Sequence, residues 1–148
     1  MPEIRVLLAA DAALALPALR ELRPASPQMA SAQALRAHLA EVEGQGYRLA
    51  GSFEPGREEA AAVAGYRVLT NLAWGRFLYL DDLSTLPDAR GRGHASALLG
   101  WLEAEARRLG CAQLHLDSGV GPARFTAHRL YLGRGLNLTS HHFAKELT

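Results

Sequence analysis

Apolar positions change their spacing several times along the chain, and each change predicts an element. Ile4 to Ala9 is a short β-branched and aliphatic run that reads as a strand, and Ala12 to Leu22 sets Leu14, Leu16, Leu19 and Leu22 at mostly helical spacing. Pro24 and Pro27 break that helix within Arg23 to Ala30, after which Ser31 offers an N-cap for a second helix through Leu35, Leu39 and Val42. Gly44 to Gly46 ends it. Tyr47 to Phe53, Ala61 to Leu72 and Arg76 to Thr85 then read as extended segments separated by turn-like stretches, which suits an antiparallel meander. From Gly93 to Leu109 the pattern is helical again, with Ala95, Leu98, Leu99, Leu102, Ala106 and Leu109 in one stripe and Glu103 and Arg107 on another face. Gly110 supplies the stop. Cys111 to Leu116 predicts a strand, Pro122 to Leu132 a helix, and Leu136 to Phe143 a last strand. The predicted order is β, α, α, β, β, β, α, β, α, β.

Composition narrows the setting without altering that order. The 148 residues, 49% of them hydrophobic, suffice for one core, and no repeat, low-complexity tract or linker divides them, so residues 1–148 are expected to form a single domain. A formal net charge of +1 gives no global field toward nucleic acid or a membrane surface. The apolar stretches are too short to span a bilayer, the N-terminus has no leader pattern, and one cysteine cannot form an internal disulfide; these together predict a cytoplasmic protein.

The segment Leu83-Ser-Thr-Leu-Pro-Asp-Ala-Arg-Gly-Arg-Gly-His-Ala95 carries the most chemistry. A strand ends there in a Pro turn, and a Gly-rich loop opens a long helix whose first N–H groups lack intrahelical partners. Gly91 and Gly93 let backbone approach a ligand, Ala95 keeps the first turn narrow, and Arg90 and Arg92 add positive charge. A pyrophosphate uses all of these; the bland reading is a strand-to-helix turn with solvated arginines. A Rossmann unit is disfavoured because the G-x-G-x-x-G spacing is absent, and a P-loop because Gly-Lys-Ser/Thr is absent.

Arg90-Gly-Arg-Gly93-His-Ala95 resembles the Arg/Gln-x-x-Gly-x-Gly/Ala signature of the GCN5-related N-acetyltransferase (GNAT) superfamily. Pro87, the helical stripe ending at Leu109, and Ala127-His-Arg-Leu-Tyr131 followed by Gly135 fall where that family has counterparts. The run at Ala127 and the tail Thr139-Ser-His-His-Phe-Ala-Lys145 look like the subgroup that includes aminoalkylphosphonate N-acetyltransferases. The resemblance implies an α/β fold with a single mixed, mostly antiparallel sheet of six to seven strands and about four helices packed on both faces. It implies acetyl-CoA as cosubstrate and no metal. Pyrophosphate would sit on the N–H groups of Arg90, Gly91, Arg92, Gly93, His94 and Ala95, and the pantetheine arm would bind backbone around Leu83, Ser84 and Thr85. Arg124, where many members carry Asn, would contact that arm, and Tyr131 would approach the thioester sulfur.

The implied chemistry is direct acetyl transfer to a primary amine in a ternary complex. A backbone N–H near Leu83 is the candidate oxyanion donor, and Tyr131 the group that stabilises or protonates the departing thiolate. A tyrosine near pKa 10 facing a thiol near about 8.5 makes full proton donation uphill by roughly 2 kcal/mol, so a hydrogen bond is enough. Against this stands the reading of Tyr131 as a packed core aromatic. The amine's proton needs an acceptor, for which Asp82 is preferred over Asp81 on the argument that Leu83, sharing a face with Asp81, packs inward. Both carboxylates also read as ordinary solvated groups.

His141 and His142 are candidates to line the acceptor pocket, and Arg124 or Arg129 to meet an anionic group on the amine. His115, Asp117, His128, His141 and His142 lack the tight spacing of a metal site. His94 is expected to be exposed beside phosphate, and Cys111 to be a small buried hydrophobe. The expected partner is a small-molecule amine, with no nucleic acid and no membrane, and relatives that pair through C-terminal strands make a homodimer a candidate assembly. A protein lysine or N-terminal acetyltransferase is the alternative within the class, and a non-catalytic acyl-CoA-binding regulatory module the alternative outside it.

Overall fold

A computed structural model describes residues 2–148 of the chain. They group into two compact units, the first running to Leu116 and the second spanning Asp117–Thr148. The first unit contains β1 (Glu3–Leu7), α1 (Ala12–Leu22), α2 (Ala32–Glu43), β2 (Arg48–Phe53), β3 (Ala62–Asn71), β4 (Gly75–Thr85), α3 (His94–Arg108) and β5 (Gln113–Leu116). The second contains α4 (Phe125–Gly133), entered through a single 3₁₀ turn at Pro122–Arg124.

The five strands lie in sequence order, antiparallel from β1 to β4, with β5 parallel to β4. A parallel neighbour requires a crossover, which α3 supplies. The helix periodicity fixes α1 over the range expected from sequence, and Ser31 caps α2 by accepting a bond from the Ala34 N–H at 3.0 Å. Arg20 spans the α1–α2 connection by donating through Nε and Nη2 to the Met29 carbonyl at 3.0 and 2.8 Å.

Both sheet faces are covered, and strand parity shows by what. Leu49, Phe53 and Val63 pack with Ala15, Leu19, Leu35 and Leu39 of α1 and α2. Side chains alternate along a strand and register partners share a face, so Gly65, opposite Leu49, belongs to that same face. On the other face Ser52 meets His94 of α3, and Tyr66 meets Trp101 edge-on with centroids 5.9 Å apart. Leu80 pairs with Tyr66 but Asp82 pairs with Gly65, which leaves Asp81 as the extra residue of a β-bulge. The bulge moves even-numbered residues of β4 from the α3 face, where Leu78 and Leu80 lie, to the α1 and α2 face, where Asp82 and Ser84 lie.

Three expectations are corrected. The sheet has five strands among the described residues, against six to seven. Leu136 to Phe143 forms no strand: only Leu136 and Leu138 alternate before a polar run, and Leu138 and Phe143 are 86% and 92% exposed. With no buried face and no ladder, nothing offsets the cost of ordering that segment. Finally, Leu83 does not mark the inward side of β4; it is half-buried, whereas Ser84 is buried on the same face as Asp82. With helices on both faces, no single direction is inward.

Candidate active site

The loop after β4 is held at both ends before it reaches the helix. The Leu86 N–H donates to the Ala61 carbonyl at 2.8 Å, and a 3₁₀ turn at Pro87–Ala89 buries Ala89. Gly91 and Gly93 then adopt φ of 77° and 84°, a left-handed backbone that disfavours any side chain. Gly93 is the N-cap of α3, so the opening N–H groups of a 15-residue helix project from the loop as a positive pole. No atom lies within 4 Å of where a Cβ on Gly91 or Gly93 would stand, which leaves the backbone there open to a ligand.

Upstream of this loop, β4 has one side uncovered. Its pairing with β5 ends at Leu80 opposite Leu116, while β3 continues beside it as far as Thr85. Among the described residues of the sheet, Leu83, Ser84 and Thr85 thus have a strand on one side and none on the other. Backbone hydrogen-bonding groups on that side are what an extended ligand would pair with.

The loop's arginines are paired with carboxylates rather than simply solvated. Arg90 Nη2 lies 3.3 Å from Glu21 Oε1, and Arg92 Nη1 lies 2.9 Å from Glu54 Oε1. Both arginine side chains remain more than half exposed. His94 corrects the expectation of an exposed, phosphate-touching ring: it is 2% exposed, with Nδ1 2.7 Å from Ser52 Oγ and Nε2 2.9 Å from Glu54 Oε2. The imidazole therefore ties the first residue of α3 to β2. Glu54 also accepts from Arg57 at 3.2 Å, and Arg57 in turn reaches Asp88 at 2.9 Å, which closes a ring of contacts around the base of the loop. The His94 bond, followed by those of Arg92 and Arg57, holds the Glu54 carboxyl down at about 2.

Asp82 and Asp81 have different partners because of the bulge between them and β3. Both oxygens of Asp81 are occupied by the fork of Arg67, at 2.7 and 2.8 Å. Asp82 accepts from the Tyr47 hydroxyl at 2.9 Å through Oδ2, and from Arg23 Nε and Nη2 at 3.3 and 3.1 Å through Oδ1. Arg23 follows the last residue of α1, and its N–H closes that helix on the Leu19 carbonyl at 2.9 Å. The end of α1 thus reaches both sites of interest, Arg90 through Glu21 and Asp82 through Arg23. Burial, with Asp82 second, pushes the Tyr47 phenol well above its usual value near 10.

In the second unit Tyr131 is 8% exposed, and burial raises its phenol above the usual value, with Arg124 pulling the other way. His128 Nε2 lies 3.0 Å from Ser118 Oγ and 2.8 Å from the Gly119 carbonyl, while Arg124 Nε reaches Ser118 at 3.4 Å. His128 is thereby a partner of its own loop. His141 and His142 are exposed in the irregular tail, where His142 Nδ1 lies 3.4 Å from Asp117 Oδ1. Back in the first unit, His115 stacks on Trp74 with centroids 3.6 Å apart and bonds to Gln113 at 2.7 Å. Cys111 is only partly buried and precedes β5. Among the described residues no three His, Cys, Asp or Glu side chains converge as a metal site requires, and no helix is long and apolar enough to cross a membrane.

Sequence reasoning missed Tyr47, Glu54 and Ser52. Gly65, a glycine within an apolar strand, was the one signal of a close approach.

Residues 16–136 match the model of the acetyltransferase (GNAT) family. The chain belongs to that family of acyltransferases, whose acetyl donor is acetyl-CoA. The match runs through both compact units. An aminoalkylphosphonate N-acetyltransferase of Salmonella typhimurium is 37% identical over 68 residues, a stretch covering 46% of this chain and 43% of that protein, so the chain matches less than half the length of this curated relative. An aminoglycoside N-acetyltransferase solved with CoA superposes with TM-score 0.80 at 16% identity, over 99% of this chain and 95% of the other. A ribosomal-protein-alanine N-acetyltransferase from Brucella melitensis biovar Abortus 2308 gives 0.82 at 19% identity, over 100% of both chains. At these identities the structural likeness speaks for the fold.

Proposed function

We propose that this chain transfers the acetyl group of acetyl-CoA to the primary amine of a small molecule, by direct attack in a ternary complex. The observation that carries the reading is the continuous path from the uncovered side of β4 at Leu83–Thr85, through the left-handed Gly91 and Gly93, to the N-terminus of α3. An extended arm ending in a pyrophosphate fits that path: strand backbone for the arm, and outward N–H groups with two arginines for the anion.

When bound, acetyl-CoA supplies the electrophilic thioester carbonyl. The N–H groups from Arg90 to Ala95 hold the diphosphate, and the Glu21 and Glu54 pairs keep the arginine side chains at the rim. A backbone N–H near Leu83 polarises the carbonyl oxygen. Asp82 accepts the proton that the amine sheds, and Asp81, bridged through both oxygens by the Arg67 guanidinium, is the alternative acceptor. Tyr131, kept protonated by its burial, donates a hydrogen bond to the departing sulfur. Arg124 assists the binding of the pantetheine arm, and His141 and His142 are the tail residues assigned to the acceptor. A small-molecule acceptor is supported by the partial relative, whose name specifies an aminoalkylphosphonate. The single cysteine, partly buried and unpaired, suits a reducing cytoplasm.

The test is the initial rate of thiol release from acetyl-CoA across aminoalkylphosphonates, polyamines, amino acids and a lysine peptide, with CoA binding followed by thermal shift. Release that depends on a small amine supports the proposal, and release with the peptide alone moves the acceptor to a protein. CoA binding without release under any amine makes the chain a binding module. No CoA binding overturns the reading.

A further inference from the structure

Asp82 does not stand alone on its sheet face. The Tyr47 ring crosses β3 at Gly65, the register partner of Asp82, and its hydroxyl reaches Asp82 Oδ2 at 2.9 Å. A Cβ at position 65 would stand 1.7 Å from the Tyr47 hydroxyl oxygen, 2.3 Å from Cζ and 2.8 Å from Cε2. Only hydrogen fits there while the tyrosine keeps its place. A glycine inside a paired strand gives up packing and order, and its presence here is explained by the ring it admits. We infer that Tyr47, cradled over Gly65, is a positioning residue that holds Asp82 in the orientation in which it takes the proton of the acceptor amine. This rests on the assignment of Asp82 as proton acceptor.

The geometry divides the carboxylate between clamp and function. Arg23 brings two N–H groups to Oδ1, whereas Tyr47 occupies one lone pair of Oδ2 and leaves the second for a proton. The Asp82 side chain is 19% exposed, so the carboxylate keeps some access to solvent. The titratable and charged groups around it are Arg23 at the end of α1, Tyr47 ahead of β2, and Asp81 on β4 with its Arg67 partner on β3. Arg23 is 55% exposed and sits on a long side chain, whereas Tyr47 is rigid and fixed against backbone. Orientation therefore depends on the tyrosine. Its phenol stays protonated across the working range and acts only as a donor toward Asp82. In the step itself, one ammonium proton moves to Asp82 and on to solvent, the freed nitrogen lone pair forms the C–N bond, the C–S bond breaks with its electron pair on sulfur, and a second proton leaves the amide nitrogen and ends on the thiolate, giving amide and free thiol.

The experiment compares wild type, Tyr47→Phe, Gly65→Ala and Asp82→Asn with the best amine of the panel and with an O-alkylhydroxylamine analogue, which is already neutral at neutral pH. Tyr47→Phe removes one oxygen and keeps the ring, and a thermal melt verifies folding. The expected result is a fall in kcat of about tenfold or more, with KM for acetyl-CoA within about twofold of wild type. The loss shrinks several-fold with the weakly basic nucleophile, which has no ammonium proton to shed before attack. Gly65→Ala, which displaces the ring, reproduces this pattern. Tyr47→Phe with wild-type kcat while Asp82→Asn is slow overturns the inference and leaves Asp82 as base. A loss equal for both nucleophiles, with a lowered melting temperature, makes Tyr47 structural and also overturns it. Asp82→Asn with wild-type turnover overturns the assignment of the base and this inference together.

Discussion

Replacing His94 by alanine tests whether the loop is anchored through the sheet. The imidazole is 2% exposed and is the side-chain partner of Ser52 Oγ, which is fully buried. Its removal leaves a buried hydroxyl unsatisfied, at about 1–3 kcal/mol. It also leaves part of a ring volume empty beside β2, for a total of about 2–4 kcal/mol. In a chain of this size that lowers the melting temperature by roughly 4–16 °C. The assay is equilibrium urea unfolding of wild type, His94→Ala, Ser52→Ala and the double variant. Because the two side chains share one bond, the double variant should cost clearly less than the two singles added. CoA affinity should fall as well, since His94 is the first residue of α3 and fixes the direction of its N-terminus. A His94→Ala protein within about 0.5 kcal/mol of wild type, or strict additivity with Ser52→Ala, would refute the anchoring argument.

Other consequences concern the same two regions and Tyr131. Glu54 titrates at about 2 against an ordinary 4.5, so its contribution is complete above 4.5 and is lost as pH falls toward 2; melting curves of wild type and Glu54→Gln should converge across that window, and parallel curves would contradict the pairing. Gly93→Ala forces a side chain into a left-handed conformation at φ 84° and should cost about 1–2 kcal/mol, read by chemical denaturation, together with weaker CoA binding by calorimetry. Tyr131→Phe should lower kcat by roughly ten- to a hundredfold with CoA affinity unchanged, as expected for a group acting on the leaving sulfur. An unchanged kcat would return Tyr131 to the core.

Much of the fold was legible because helices with one apolar stripe announce themselves. Leu98, Leu99 and Leu102 of α3 are fully buried as their spacing required, and Ser31 caps α2 as its type and place suggested. The loop at Arg90–Ala95 was legible for a related reason: two glycines and a helix start leave few conformations. Alternation served less well on β4, where a single extra residue at Asp81 reverses the faces and cannot be seen from one strand's sequence. The burial of His94 was hidden because its partners, Ser52 and Glu54, lie some forty residues earlier in the chain and meet it only through sheet packing. The last strand failed because a β-like composition at Leu136 to Phe143 does not supply a neighbouring strand. Tyr47 was passed over as the opening residue of a strand, although Gly65 recorded its presence.

The most direct test supplies acetyl-CoA carrying an isotopic label in the acetyl group, together with each small amine, and follows the label by mass spectrometry. The account predicts that it appears on the amine nitrogen as an amide, with one CoA released per acetylated amine and no covalent acetyl-enzyme. Label recovered only as free acetate, or retained on the protein, would contradict direct transfer to an amine.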